Sequence, residues 1–158
     1  EADVVIVGKG AWSAVDTGRL APDVRRILAE TPASTLVLSA EANLEPPLRA
    51  VYDGTELGNK ALSVAVRLAE DGYLMVFVLA DDSDGAERLQ EEALEAVGNP
   101  QLQLTFQTLS EASVGRLAYL VSREGEGMLV LPAHLEAMED EALLDFLDAT
   151  DAPVLMVR

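Results

Sequence analysis

The sequence predicts an α/β protein: an open parallel five-stranded sheet with helices on both faces over residues 48–158, preceded by a β-α-β fragment over residues 1–39. Three observations carry that expectation. Short apolar runs alternate with amphipathic stretches of helical period, the order that yields a parallel sheet covered on both sides. Residues 27–39 (ILAETPASTLVLS) and 146–158 (FLDATDAPVLMVR) share one pattern, with Leu28 and Leu147, Thr31 and Thr150, Ala33 and Ala152, and Leu36 and Leu155 in register. Each copy follows a further apolar run, DVVIVG at 3–8 and GMLVLP at 127–132, so a strand-helix-strand unit occurs twice. The segment AEANLEPP at 40–47 has a proline pair and no periodicity and reads as the linker.

Taken in order, apolar runs at 3–7, 34–39, 48–52, 73–79, 101–107, 128–131 and 153–157 mark the strands. A helix over 56–71 carries Ala61, Leu62, Ala65, Leu68 and Ala69 at helical spacing, with Gly72 placed to stop it. The helix over 84–97 opens with Asp84 and Glu87 at capping-box spacing and closes at Gly98. The next begins near Ser110, turns Val114, Leu117 and Val121 inward and ends before Gly125; the last runs from about Glu139 to Ala149 over Leu143, Leu144 and Leu147. QLQLTFQ at 101–107 alternates with a period of two, as a half-exposed edge strand does. The run at 3–7 has an apolar free edge that upstream residues or a second copy must cover, and on that ground dimerisation is expected.

Composition narrows the function. A chain of 158 residues with 49% apolar content can bury an ordinary core, and no apolar run approaches the roughly 20 residues that span a bilayer. Twenty-eight acidic against eleven basic side chains give a formal charge of −17, which repels nucleic acid backbones and anionic membranes. Only Lys9 and Lys60 are lysines; such a surface suits either high salt or an ordinary acidic cytoplasmic protein. The absence of cysteine excludes disulfides, thiolate catalysis and zinc–thiolate sites and fits a reducing compartment. The sequence opens on Glu1 rather than Met, as a processed or partial chain would.

Most local motifs fail a chemical test. Gly8-Lys9-Gly10 is a broken dinucleotide fingerprint and not a P-loop, since no Gly-Lys-Ser or Gly-Lys-Thr follows. Lys9 reads as a phosphate contact or as a solvated loop lysine, and Trp12 as a base-stacking ring or as a hydrophobic cap. Asp81, Asp82 and Asp84 resemble a calcium loop, but Gly85 comes one position too early, which leaves a helix-start cluster and no metal site. No lysine follows the last strand, as a receiver domain requires. His134 stands alone without a Gly-x-Ser-x-Gly elbow, so no catalytic residue is assigned. Asp53-Gly54-Thr55 makes a good turn and helix cap.

LRAVYDGTELGNKALSVAVRLAEDGYLMVFVLADD resembles the opening of universal stress protein domains: a strand ending in Asp-Gly-Thr, a helix with small residues on its inner face, then a second apolar strand. GMLVLPAHLEAMEDEALLDFLDATDAPVLMVR is similar to the closing strand-helix-strand of that domain. The resemblance covers 48–158, and 3–39 resembles the closing part of a preceding repeat, as in a tandem protein whose first repeat is incomplete. It implies a fold related to Rossmann-type nucleotide-binding sheets and a site for ATP or AMP at the strand ends. Asp53 matches the family's nucleotide-contacting aspartate, with Gly54 beside it. The family's phosphate-loop template falls on Gly8, Ala11, Ala21 and Pro22, with Gly10 as a partial substitute, and in the second half its first glycine position is held by Pro132. Proline lacks an N–H and alanine adds a methyl group where backbone must approach a phosphate, so the ATP motifs are degenerate.

Three functions follow from the resemblance and these substitutions: a non-enzymatic stress-response or regulatory domain acting by association, an adenine-nucleotide sensor using Asp53, Gly54, Gly8 and Gly10, or a weak ATPase. The first is favoured. Its expected interface is the last strand, with 153–157 antiparallel to 35–39 in an intramolecular pseudo-dimer or to the same strand of a homodimer partner.

Overall fold

The computed structural model of the chain describes residues 4–10, 19–40, 42–44, 47–70, 72–110, 114–123 and 127–158. Strands and helices alternate along it: β1 (Val4–Gly8), α1 (Pro22–Glu30), β2 (Ser34–Leu38), β3 (Leu48–Tyr52), α2 (Glu56–Ala69), β4 (Tyr73–Leu79), α3 (Ser83–Val97), β5 (Gln103–Leu109), α4 (Val114–Arg123), β6 (Leu129–Pro132), α5 (Asp140–Ala149) and β7 (Val154–Val157). The strands form one sheet of seven, in the order β1-β2-β7-β6-β3-β4-β5. This corrects the five-stranded sheet expected with a separate fragment. Neighbours run parallel except β2 and β7, which are antiparallel with Thr35 opposite Met156, Leu36 opposite Leu155 and Val37 opposite Val154. The physical reason lies in β7: VLMV is buried along its length, and a buried strand must pair on both edges. β6 takes one edge and β2 the other.

Alternation along the strands divides the interior in two. On one face α1, α4 and α5 set Val24, Leu28, Leu117, Val121, Leu143, Phe146 and Leu147 against Val37, Val51, Phe77, Leu129 and Val154. On the other, α2 and α3 set Ala61, Leu62, Ala65, Leu89 and Ala93 against Ala50, Leu74, Val76, Val130 and Leu155. Each large side chain fully buried here contributes about 1.5–3 kcal/mol. β5 lies at a sheet edge and alternates exposed Gln103 and Thr105 with half-buried Leu104 and Phe106, as its period of two requires.

Helix ends depart from the sequence expectation where side-chain chemistry decides them. α3 is capped by Asp82, whose Oδ1 accepts from Gly85 N at 2.7 Å; Asp84 lies inside the first turn. Extended backbone at Asp82 (φ −142°, ψ 174°) is what turns its carboxylate back onto the helix N–H groups. α2 ends at Glu70, which takes φ 52° and whose carbonyl accepts from Asn99 Nδ2 at 3.4 Å, so the reversal comes before Gly72. Gly98 closes α3 in the left-handed region with φ 56°. In α5 the buried stripe is Leu143, Phe146 and Leu147, with Leu144 at its margin.

Candidate functional site at the strand ends

β3 and β6 are adjacent and parallel, so Tyr52-Asp53 and Pro132-Ala133 leave the sheet on the same rim, where ligands of open α/β sheets bind. At that rim Asp53 Oδ1 accepts from Thr55 N at 3.1 Å and from Thr55 Oγ1 at 2.7 Å, while Thr55 Oγ1 accepts from Gly58 N at 2.9 Å. The three residues form a turn that caps α2 and satisfies N–H groups the helix leaves open. Gly54 takes φ 76°, and a Cβ there would run into Leu89, so the turn also seats α3. A Cβ on Gly58 would occupy the place of Asp53 Oδ1. Asp53 Oδ2 is buried and has no hydrogen-bond partner among the described residues. Tyr52 OH donates to Asn59 Oδ1 at 3.1 Å; burial, with Glu92 and Asp53 nearby, raises its phenol above the usual pKa.

The position at the end of β6 that the resemblance assigns to the phosphate loop offers no free N–H at its first two residues. Pro132 has no N–H, and Ala133 N already donates to Val157 O at 2.8 Å. His134 points outward and pairs its Nδ1 with Asp140 Oδ1 at 2.8 Å. Leu135 and Met138 are buried beneath that loop.

Gly8 and Gly10 belong elsewhere. The antiparallel step between β2 and β7 reverses β1 relative to β3, and four strand spacings separate them, roughly 19 Å. Gly8 and Gly10 therefore emerge at the opposite rim from Asp53 and Gly54, and the structure brings together each pair but not all four. Lys9 is 2% exposed and its Nζ donates to Thr150 O, the C-cap of α5, which corrects the expectation of a solvated or phosphate-facing lysine. Lys9 N donates to Leu38 O, and Lys9 O accepts from Ala21 N. A Cβ on Gly8 would meet nothing among the described residues within 4 Å, so no close approach by them demands glycine there. Ala11 and Trp12 lie outside the described residues.

Asp81, Asp82, Glu87 and Gln90 line an open cleft of about 450 Å³ with Thr108 and Ser110 at the ends of β4 and β5. No group of three or more metal-ligating side chains occurs among the described residues. Sequence reasoning missed Arg49, fully buried in β3, whose guanidinium donates to Val121 O in the last turn of α4 and to Gly127 O. The available signal was an arginine inside an apolar run, LRAVY. Lys9 and Arg158 act alike, the latter donating to Leu28 O at the end of α1. Neither α1 nor α5 has a basic residue in its own last turn, so distant cations meet their open carbonyls.

No family model matches the sequence, and no curated protein matches it. The fold is that of universal stress protein structures. The chain is similar to a universal stress protein from Archaeoglobus fulgidus, with TM-score 0.67 and 12% identity over 99% of this chain and 60% of that one. It is also similar to a functionally unknown protein from Pseudomonas aeruginosa, with TM-score 0.64 and 17% identity over 98% of this chain and 62% of that one. The chain thus spans about three-fifths of the length of these structures. No helix among the described residues is long and apolar enough to cross a membrane.

Proposed function

We propose that this chain is a non-enzymatic stress-response or regulatory domain of universal-stress-protein type, with a complete domain over 48–158 joined to the closing part of a preceding repeat over 1–39, acting in the cytoplasm through association with other polypeptides. One observation carries the reading: Pro132 lacks an N–H and the Ala133 N–H is engaged by Val157 O, so the turn that would wrap phosphates has no donors at its first two positions. Asp53 Oδ1 is likewise engaged in capping α2. Leu36 opposite Leu155, the matching positions of the two repeated segments, supports the pseudo-dimer reading of the first and second copies. Among the described residues β2 and β7 are each paired on both edges, and β1 and β5 are the outer strands of the sheet. The charge of −17 disfavours nucleic acid and anionic membranes as partners.

A second reading, an adenine-nucleotide sensor, draws on the unpartnered Asp53 Oδ2 at the rim where such ligands bind. Isothermal titration with ATP and with AMP separates the two. The association reading expects no saturable heat, whereas micromolar, saturable binding that Asp53→Asn weakens would replace it with the sensor.

A further inference from the structure

β5 pairs with β4 over all seven of its residues and has no strand on its other side among the described residues. Gln103 N donates to Gly72 O, and Leu109 O accepts from Ala80 N, so the odd-numbered residues turn their backbone groups toward β4. By alternation the N–H and C=O groups of Leu104, Phe106 and Thr108 point to the open edge. The usual guards of such an edge are missing. QLTFQTL holds no charged residue and no proline, in a chain 25% of whose residues are charged.

The surface beside that edge is acidic. Leu104, Phe106 and Thr108 stand in register with Leu74, Val76 and Val78 and so share the sheet face that α3 covers. Leu104 and Phe106 are half-buried there. Thr108 lines the cleft of about 450 Å³ together with Asp81, Asp82, Glu87 and Gln90, and no residue lining it is basic. Arg88, the one cation of α3, pairs instead with Glu92 at 3.7 Å. Leu94 lies one helical turn beyond Gln90 on the same flank of α3 and is 51% exposed. The open edge therefore runs past apolar side chains and finishes at negative charge.

We propose that the β5 edge takes up an extended basic segment of another polypeptide. The segment lies antiparallel to β5, sets apolar side chains on Leu104, Phe106 and Leu94, and places a lysine or arginine from its N-terminal end in the cleft beside Glu87. This deepens the association reading above and rests on it. Main-chain hydrogen bonds hold such a strand, and alternate side chains select it. The charge of −17 draws a basic segment toward this surface and repels a second copy of the chain, whose own β5 carries no cation to offer the cleft.

The test uses the full chain and the end-blocked peptide Lys-Thr-Val-Thr-Val-Thr, whose lysine falls opposite Thr108 and whose valines fall opposite Phe106 and Leu104. Titration should show saturable binding, and hydrogen exchange should show new protection of the Leu104, Phe106 and Thr108 amides. Thr108→Pro deletes an N–H that points away from β4 and should weaken binding at least about tenfold. Glu87→Lys should weaken it likewise and admit the peptide in which glutamate replaces lysine, whereas Glu30→Lys, the same charge change at the end of α1, should alter neither. Absence of binding, or binding indifferent to Thr108→Pro or to the charge exchange, would overturn the proposal. So would a dimer by light scattering that already protects those three amides, since a second copy would then hold the edge. ATP titration of the same sample separates the two levels: without saturable ATP heat a missing peptide signal removes this surface alone, while ATP binding that Asp53→Asn weakens removes the association reading.

Discussion

Gly58 and Asp53 compete for one volume, and the outcome explains why a glycine sits in the first turn of a helix. Its missing side chain leaves room for the Asp53 carboxylate to fold over Thr55. Gly58→Ala should therefore destabilise by about 1–3 kcal/mol despite alanine's better helix propensity, because the cap must shift. Gly115 in α4 is the control: a Cβ there meets nothing among the described residues within 4 Å, so Gly115→Ala should be neutral or stabilising by up to about 1 kcal/mol. Urea denaturation of both variants checks the contrast, and equal effects would remove the steric account. The Asp-Gly-Thr turn was legible in sequence because its chemistry is local. The partners of Lys9 and Arg49 were not, because Thr150, Val121 and Gly127 are distant in sequence.

At the scale of elements, short contacts decide where helices start and distant ones decide what holds their ends. Asp82→Ala should cost about 1 kcal/mol of stability and Asp84→Ala much less, because only Asp82 is the side chain that accepts from Gly85 N. A thermal melt of the two variants side by side is sufficient, and a larger loss from Asp84→Ala would reverse the cap assignment. α1 and α5 are tied directly to each other on one face of the sheet by Arg25, which reaches Glu141 at 3.0 Å, Asp145 at 3.3 Å and Asp148. The hydrogen bond to Asp148 chiefly raises the Arg25 pKa above its ordinary value, so that cation stays charged wherever the protein is folded. Asp148 also accepts from Leu20 N at 2.6 Å, which fixes the entry to α1. Helical spacing marked α5, and the repeated strand-helix-strand pattern implied a helix at α1 without giving its bounds. Neither revealed that the two pack on the same face, since that depends on the antiparallel step between β2 and β7.

For the whole molecule, that step is the decisive junction. Leu36 and Leu155 pair at its centre, so Leu36→Asp places a carboxylate beside an apolar neighbour and should destabilise by about 2–3 kcal/mol. The expected result in urea is one cooperative transition shifted to lower denaturant, seen alike by circular dichroism and by exchange of the β7 amides. Two separate transitions in the parent protein would instead mean that 1–39 and 48–158 unfold as independent units. The continuity of the sheet favours the single transition, because severing β2 would leave the buried edge of β7 with unpaired backbone groups.

The sequence by itself determined the class of fold, the strand and helix order, the polar edge at β5 and the missing N–H at Pro132, since each depends on residue type and near-neighbour spacing. The repeat left open whether 153–157 pairs with 35–39 of its own chain or with a second copy, and only the tertiary structure decided that fragment and domain share one sheet of seven strands. It also placed Gly8 and Gly10 on the opposite rim from Asp53 and Gly54, and it made Lys9 a buried tie to α5. These three outcomes have one physical cause. Backbone pairing between residues more than a hundred positions apart sets strand direction and register, and no local propensity encodes which distant edge a buried strand will meet.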